Sequence, residues 1–139
     1  MKTAVVFFSS TGNTEDMANA VLDGMKDKGA EAELITSAEF SADRVGEFDA
    51  IAFGCPAMGD EVLEEDEFQP MWDACKDNLS GKKIALFGSY GWGDCEWMRI
   101  WEEDAKGAGA VLACESVTCM ETPDDDGIAA CKALGAALC

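Results

Sequence analysis

The sequence predicts an α/β protein of one domain, residues 1–139, built as a three-layer αβα sandwich around a five-stranded parallel sheet of order 2-1-3-4-5. Three observations carry this prediction. Apolar runs and segments with helical spacing alternate five times along the chain, the pattern of a mainly parallel sheet covered by helices on both faces. The first, third and fourth runs are the most continuously apolar, as strands buried on both sides must be, and therefore belong at the centre. Hydrophobic residues make up 48% of the chain, enough for a core without metal or disulfide support.

Taken in order, residues 2–8 are a β-branched and aromatic run, a buried strand. Over 14–28 the positions Met17, Ala18, Val21, Leu22 and Met25 recur at helical spacing, and Gly29 stands where a C-terminal cap belongs. Residues 31–36 set Glu31 and Glu33 against Ala32 and Leu34, an alternation suited to an edge strand. A weak helix over 41–45 precedes a third strand over 48–54, stopped at Cys55-Pro56 because proline cannot continue the ladder. Phe68, Met71, Trp72, Cys75 and Leu79 mark a second long helix with Pro70 in its first turn and Gly81 at its end. Residues 83–88 form the fourth strand, 96–108 a helix closed by Gly107 and Gly109, and 110–117 the last strand. Thr122-Pro123 breaks the chain before a final helix marked by Ile128, Cys131, Leu134 and Leu138.

Charge and composition exclude several classes of function. A net charge of -18 argues against nucleic acid and anionic membrane, both of which select basic patches. No apolar run reaches membrane-spanning length and the first residues do not read as a signal peptide, so the expected location is the cytoplasm. The strongly acidic surface makes a monomer the default. Seven cysteines without a C-x-x-C pair fit a reducing compartment and give no metal-site spacing. Histidine is absent, which removes the commonest general base and metal ligand.

The chemistry is concentrated in three loops. Ser9-Ser10-Thr11-Gly12-Asn13-Thr14 joins the first strand to a helix, where unpaired N–H groups and the helix dipole favour an anion. Gly12 allows close backbone approach, and Ser9, Ser10, Thr11 and Thr14 offer hydroxyl donors. Without a lysine or arginine the loop suits a permanently bound monophosphate rather than one being cleaved; a hydroxyl-rich cap with no ligand is the alternative. The second loop is Ala57-Met58-Gly59-Asp60-Glu61, and the third Gly88-Ser89-Tyr90-Gly91-Trp92-Gly93-Asp94. In the 2-1-3-4-5 order all three leave the carboxyl ends of neighbouring strands, at the place where the winding direction reverses. Met58 and Trp92 can sandwich an aromatic ring, Glu61 can accept from a ring N–H, and backbone groups of Ser89, Gly91 and Gly93 can serve the ring's polar edge.

In order and spacing these three loops resemble the FMN-binding loops of the flavodoxin family, most closely its short-chain type found in clostridia and related anaerobes. The resemblance spans essentially the whole chain and implies a flavodoxin-like fold. It implies that residues 9–14 hold the FMN phosphate, that Met58 and Trp92 cover opposite faces of the isoalloxazine, and that Glu61 binds its N3–H. It also implies that the peptide between Gly59 and Asp60 turns over on one-electron reduction, so that the Gly59 carbonyl accepts from N5–H of the neutral semiquinone; glycine makes that turn cheap. Ser10 stands where many members have glycine and Phe8 where close relatives have tryptophan.

The implied function is low-potential one-electron transport with non-covalently bound FMN, between semiquinone and hydroquinone, with no substrate turnover of its own. Asp60, Glu61, Glu64, Glu65, Asp66, Glu67, Asp94 and Glu96 bring acidic groups near the ring. One such charge about 10 Å away at an effective dielectric of about 40 contributes roughly 0.8 kcal/mol against an anionic reduced ring. The same rim suits redox partners with basic docking surfaces, such as ferredoxin-type reductases, other oxidoreductases or hydrogenase. Two further readings stay open at this level. One is an FMN protein dedicated to a single enzyme, of the kind that shares this fold in ribonucleotide reductase maturation. The other is a non-redox phosphate-binding or receiver-like module, which needs an acidic pocket after the first strand where this chain has Phe7-Phe8-Ser9.

Overall fold

The computed structural model describes residues 1–9, 12–59 and 62–139. Their elements are β1 (Lys2–Phe7), α1 (Asn13–Asp27), β2 (Glu31–Thr36), β3 (Ala50–Gly54), α2 (Phe68–Cys75), β4 (Lys83–Tyr90), α3 (Glu96–Gly107), β5 (Val111–Leu112), β6 (Val117–Met120) and α4 (Asp125–Ala137). A 3-10 turn, Ala42–Glu47, stands where the weak helix was expected. The pairings between these strands are all parallel and the order is β2-β1-β3-β4-β5, with β6 also on β4.

The apolar strands are central for the expected reason. Along each of them alternate residues face opposite layers. Ala4, Val6, Ile51, Phe53, Ile84 and Leu86 pack on one side with Phe68, Trp72, Trp97 and Trp101 of α2 and α3. Val5, Phe7, Ala52, Ala85 and Phe87 pack on the other with Met17, Val21, Met25 and Leu134 of α1 and α4. The aromatic side is large and interlocked, with Trp72 edge-on to both Phe53 and Trp101 at 5.2 and 5.6 Å between ring centroids. The opposite side is closed by backbone approach. A Cβ on Gly24 would collide with the Lys132 carbonyl of α4, and one on Gly135 with the Val21 carbonyl of α1.

Other elements also depart from the sequence reading; the fourth strand, expected over 83–88, runs on to Tyr90. The second long helix stops at Cys75 and continues only as a 3-10 turn, Lys76–Asn78, before Leu79 is buried. The single last strand expected over 110–117 is two strands. Val111 and Leu112 pair with Lys83 and Ile84, whereas Val117 to Met120 pair with Phe87 to Tyr90. Four residues, 113–116, therefore face two on β4, and the surplus interrupts the strand as a bulge does. The displaced second half runs on to Met120, three residues beyond the expected end.

Candidate functional site

The carboxyl ends of β1, β3, β4 and β6 lie side by side because the strands are parallel and in register. After β1 the chain turns through Gly12, whose φ of +93° suits glycine and whose N–H donates to Ser9 Oγ at 3.1 Å. Gly12 is the N-cap of α1 and no side chain caps that helix among the described residues, so its first-turn N–H groups point outward as donors. Thr14 was expected to offer a hydroxyl to an anion. It is buried, and its Oγ1 lies 2.9 Å from Ser89 Oγ, tying the first loop to the third. Ser10 and Thr11 lie outside the described residues, as do Asp60 and Glu61.

The second loop is held at its base. Met58 and Val62 exchange both backbone bonds, at 2.8 and 3.1 Å, and between them Gly59 has φ +49°. Outside this turn the Glu64 N–H donates to Cys55 Sγ at 3.4 Å. The Glu64 carboxylate, 6% exposed, accepts the N–H groups of Asp66, Glu67 and Phe68 at 2.8, 2.6 and 2.9 Å. Burial pushes its pKa up, but the three bonds outweigh burial and hold it below the ordinary carboxylate value. The neighbouring Cys55 thiol is pushed far above its ordinary pKa by burial and is inert as a nucleophile. Trp97 Nε1 donates to the Cys55 carbonyl at 3.3 Å, and a Cβ on Gly88 would strike the same carbonyl, so β4 approaches this loop only through glycine.

Between the loops is a cavity of about 250 Å³ lined by Asn13, Pro56, Ala57, Met58, Ser89, Tyr90, Gly91 and Glu121. It adjoins a second, of about 430 Å³, through Met58, which lines both with Gly59, Val62, Glu64, Glu65 and Asp66 on the far side. Of the expected site residues, the structure thus brings Asn13, Ala57, Met58, Gly59, Ser89, Tyr90 and Gly91 to these cavities. Trp92, Gly93 and Asp94 lie outside their lining. Trp92 is 61% exposed, and Asp94 is ion-paired with Arg99 Nη2 at 3.1 Å. Pro56 and Glu121 were missed. Glu121 has φ +56°, unusual for a residue with a side chain, and its N–H donates to the Tyr90 carbonyl at 2.7 Å. Thr122 Oγ1 donates to Asn13 Oδ1 at 3.2 Å, so the segment after β6 forms a fourth wall.

A slot with a thioether, proline and a phenol on its walls, and uncapped neutral donors at one end, is shaped for a flat ring carrying an anion. A Cβ at Gly12, Gly59 or Gly91 would meet nothing within 4 Å. The family model described as Flavodoxin matches residues 5–135. The chain belongs to the flavodoxin family. It is 43% identical to the flavodoxin of Clostridium beijerinckii over 121 residues, covering 87% of this chain and 88% of that protein. It is 41% identical to the flavodoxin of Megasphaera elsdenii over 133 residues, 96% of this chain and 95% of the relative. The solution structure of two-electron reduced Megasphaera elsdenii flavodoxin superposes with a TM-score of 0.90 at 40% identity, covering 98% and 97% of the two chains. Flavodoxins bind FMN and carry electrons, and this chain is accordingly an electron-transfer protein rather than an enzyme. Among the described residues no helix is long and apolar enough to cross a membrane.

Proposed function

We propose that residues 1–139 act as one FMN-binding unit, a low-potential carrier in which the segment Ser9, Ser10, Thr11, Gly12, Asn13 and Thr14 holds the phosphate through backbone donors and the hydroxyls of Ser9, Ser10 and Thr11. FMN supplies the one-electron chemistry when bound. Ala57 and Met58 bound one face of the ring, and Trp92 covers the other. Gly59 and Asp60 supply a peptide that can reorient, and Glu61 accepts from the ring's N–H. Ser89, Tyr90, Gly91, Gly93 and Asp94 serve the polar edge and shut out water. The observation that carries this reading is the cavity shared by Asn13, Met58 and Gly91, one residue from each loop, beside the uncapped start of α1.

The partners are redox proteins with basic docking surfaces, and the location is the cytoplasm. The support is the net charge of -18 and the exposed acids Glu65, Asp66 and Glu67 beside the second loop. Electron-transfer rates with a basic partner should fall as salt rises, because surface attraction of this kind is screened.

The test is a stepwise anaerobic reduction of the purified protein followed by visible absorption. A yellow protein that takes its two electrons in two resolved steps is the expected result. A colourless protein that stays colourless after FMN is added removes the reading.

A further inference from the structure

Beside the second loop, where it meets α2 and α3, the surface is apolar. Val62, Leu63, Trp97, Ile100 and Trp101 line a groove of about 240 Å³, with Gln69 and Asp104 as its polar members. Leu63, Trp97 and Trp101 are buried, whereas Val62 is 40% and Ile100 57% exposed. A single exposed aliphatic residue is ordinary; two on one groove over a buried aromatic pair make a patch. Both polar members are already engaged, Gln69 Nε2 donating to Asp73 at 2.9 Å and Asp104 accepting from Trp72 Nε1 at 2.8 Å.

The segments that form the groove are acidic. Glu65, Asp66 and Glu67 follow Leu63 and are exposed, as are Glu96 and Glu103 on α3. Residues 62–69 and 96–104 contain one base, Arg99, and its guanidinium lies 3.1 Å from Asp94. The groove is also continuous with the site described above. Val62 lines it and the cavity of about 430 Å³ shared with Met58 and Gly59, and it exchanges both backbone bonds with Met58.

These features select one kind of occupant. The volume is below the roughly 300–1,000 Å³ of small-molecule pockets and suits a side chain. A second copy of the chain would bring a net charge of -18 against the same acids. We propose that the groove anchors a partner protein: one leucine- or phenylalanine-like side chain of the partner enters between Val62 and Ile100, and lysine or arginine residues flanking it meet the acids on either side. This rests on the proposed reading of the partners as redox proteins with basic docking surfaces. The acids steer the encounter, and the desolvated apolar contact sets how long the partner stays.

The test uses the full chain loaded with FMN and two blocked peptides, acetyl-Lys-Lys-Leu-Lys-Lys-amide and its counterpart with alanine at the centre. Affinity and place of binding are read from amide shifts in the isotope-labelled protein, for the parent, Ile100→Glu and Val111→Glu. The leucine peptide should bind the parent about tenfold more tightly than the alanine peptide and move the signals of Val62, Ile100 and Trp101. Added salt should weaken both peptides while keeping their ratio. Ile100→Glu should weaken the leucine peptide about fivefold although it adds a negative charge, because it removes apolar surface from the groove. Val111→Glu makes the same charge change at an exposed residue outside the groove and should not weaken it.

Equal affinity of the two peptides for the parent overturns the proposal, whatever the variants do. So does tighter binding to Ile100→Glu, the mark of a surface that attracts by charge alone, or shifts centred on Trp92 and Met120 instead. Groove signals that move with protein concentration without peptide would assign the groove to a second copy and overturn it too. A parent chain that takes up no FMN overturns the cofactor reading and with it the redox character of the partner, whereas an FMN-loaded parent indifferent to the leucine overturns only the groove.

Discussion

Replacing Glu64 asks whether the segment that leads from the second loop into α2 is held in place by a buried charge. Oε1 accepts the N–H groups of Glu67 and Phe68, and Oε2 that of Asp66. Glu64→Ala removes all three acceptors. Asp66 and Glu67 are exposed and can turn to water, but Phe68 is fully buried, so its N–H is left without a partner. With a bond to a charged acceptor worth about 1.5–3 kcal/mol and water replacing the outer two, the expected loss is about 2.5 kcal/mol. For a chain of 139 residues that is a fall in Tm of about 10 °C. Glu64→Gln keeps Oε1 but turns an amide N–H toward that of Asp66, and should lose about 1 kcal/mol. Because the native pKa is lowered, the folded state binds the proton more weakly than the unfolded chain. The carboxylate's contribution is then complete above the unfolded value of about 4.3 and disappears as the pH falls through the native one. Urea unfolding of the parent and the glutamine variant near pH 7 and near pH 3 measures this, and the gap between them should shrink at the lower pH. A gap of the same size at both would mean that the charge on Glu64 does not hold residues 66–68.

Gly135→Ala should lower stability by about 2–3 kcal/mol, since its methyl collides with the Val21 carbonyl and α1 and α4 must part; an unchanged denaturation midpoint would show that the helices yield freely. Trp92→Ala should weaken FMN binding by about tenfold through lost stacking, while the exposed position leaves the Tm of the FMN-free protein where it was. Equal affinity would show that Trp92 does not meet the ring. At Gly59, φ +49° disfavours a β-branched residue by about 1–2 kcal/mol. Gly59→Thr should therefore narrow the separation of the two one-electron potentials by tens of millivolts, and a separation equal to the parent's would exclude a reorienting peptide there.

The layered fold was legible because the decisive quantity, continuous apolarity over 2–8, 48–54 and 83–88, is a local property of the sequence. Trp92 was legible for a similar reason: glycines on both sides leave no packed element to bury it. The split of the last strand was not, because its interruption at Ala113, Cys114, Glu115 and Ser116 contains no glycine or proline, and the surplus of two residues exists only relative to β4. That error had a consequence at the site. Ending the strand at 117 hid Glu121, which only comes level with Tyr90 when β6 runs on to Met120. The burial of Glu64 and its capping bonds were hidden differently, inside a run of acids expected alike to bring charge near the ring, since a buried cap cannot be told from its neighbours by composition.

The acids around the second and third loops are therefore not equivalent. Asp94 faces the guanidinium of Arg99, which cancels much of its field beyond that pair. Glu65 and Asp66 are exposed, where water and salt screen them. Glu64 is buried, kept ionised by three backbone bonds, and lines the same cavity as Met58 and Gly59. Among the described acids of this cavity, a charge so placed is screened less than those of Glu65 and Asp66, so it would weigh more than theirs against the arrival of an electron on a cofactor held there. The bonds that shape the segment after the second loop and those that keep a negative charge there are the same three, which makes local geometry and electrostatics one property of residues 64–68.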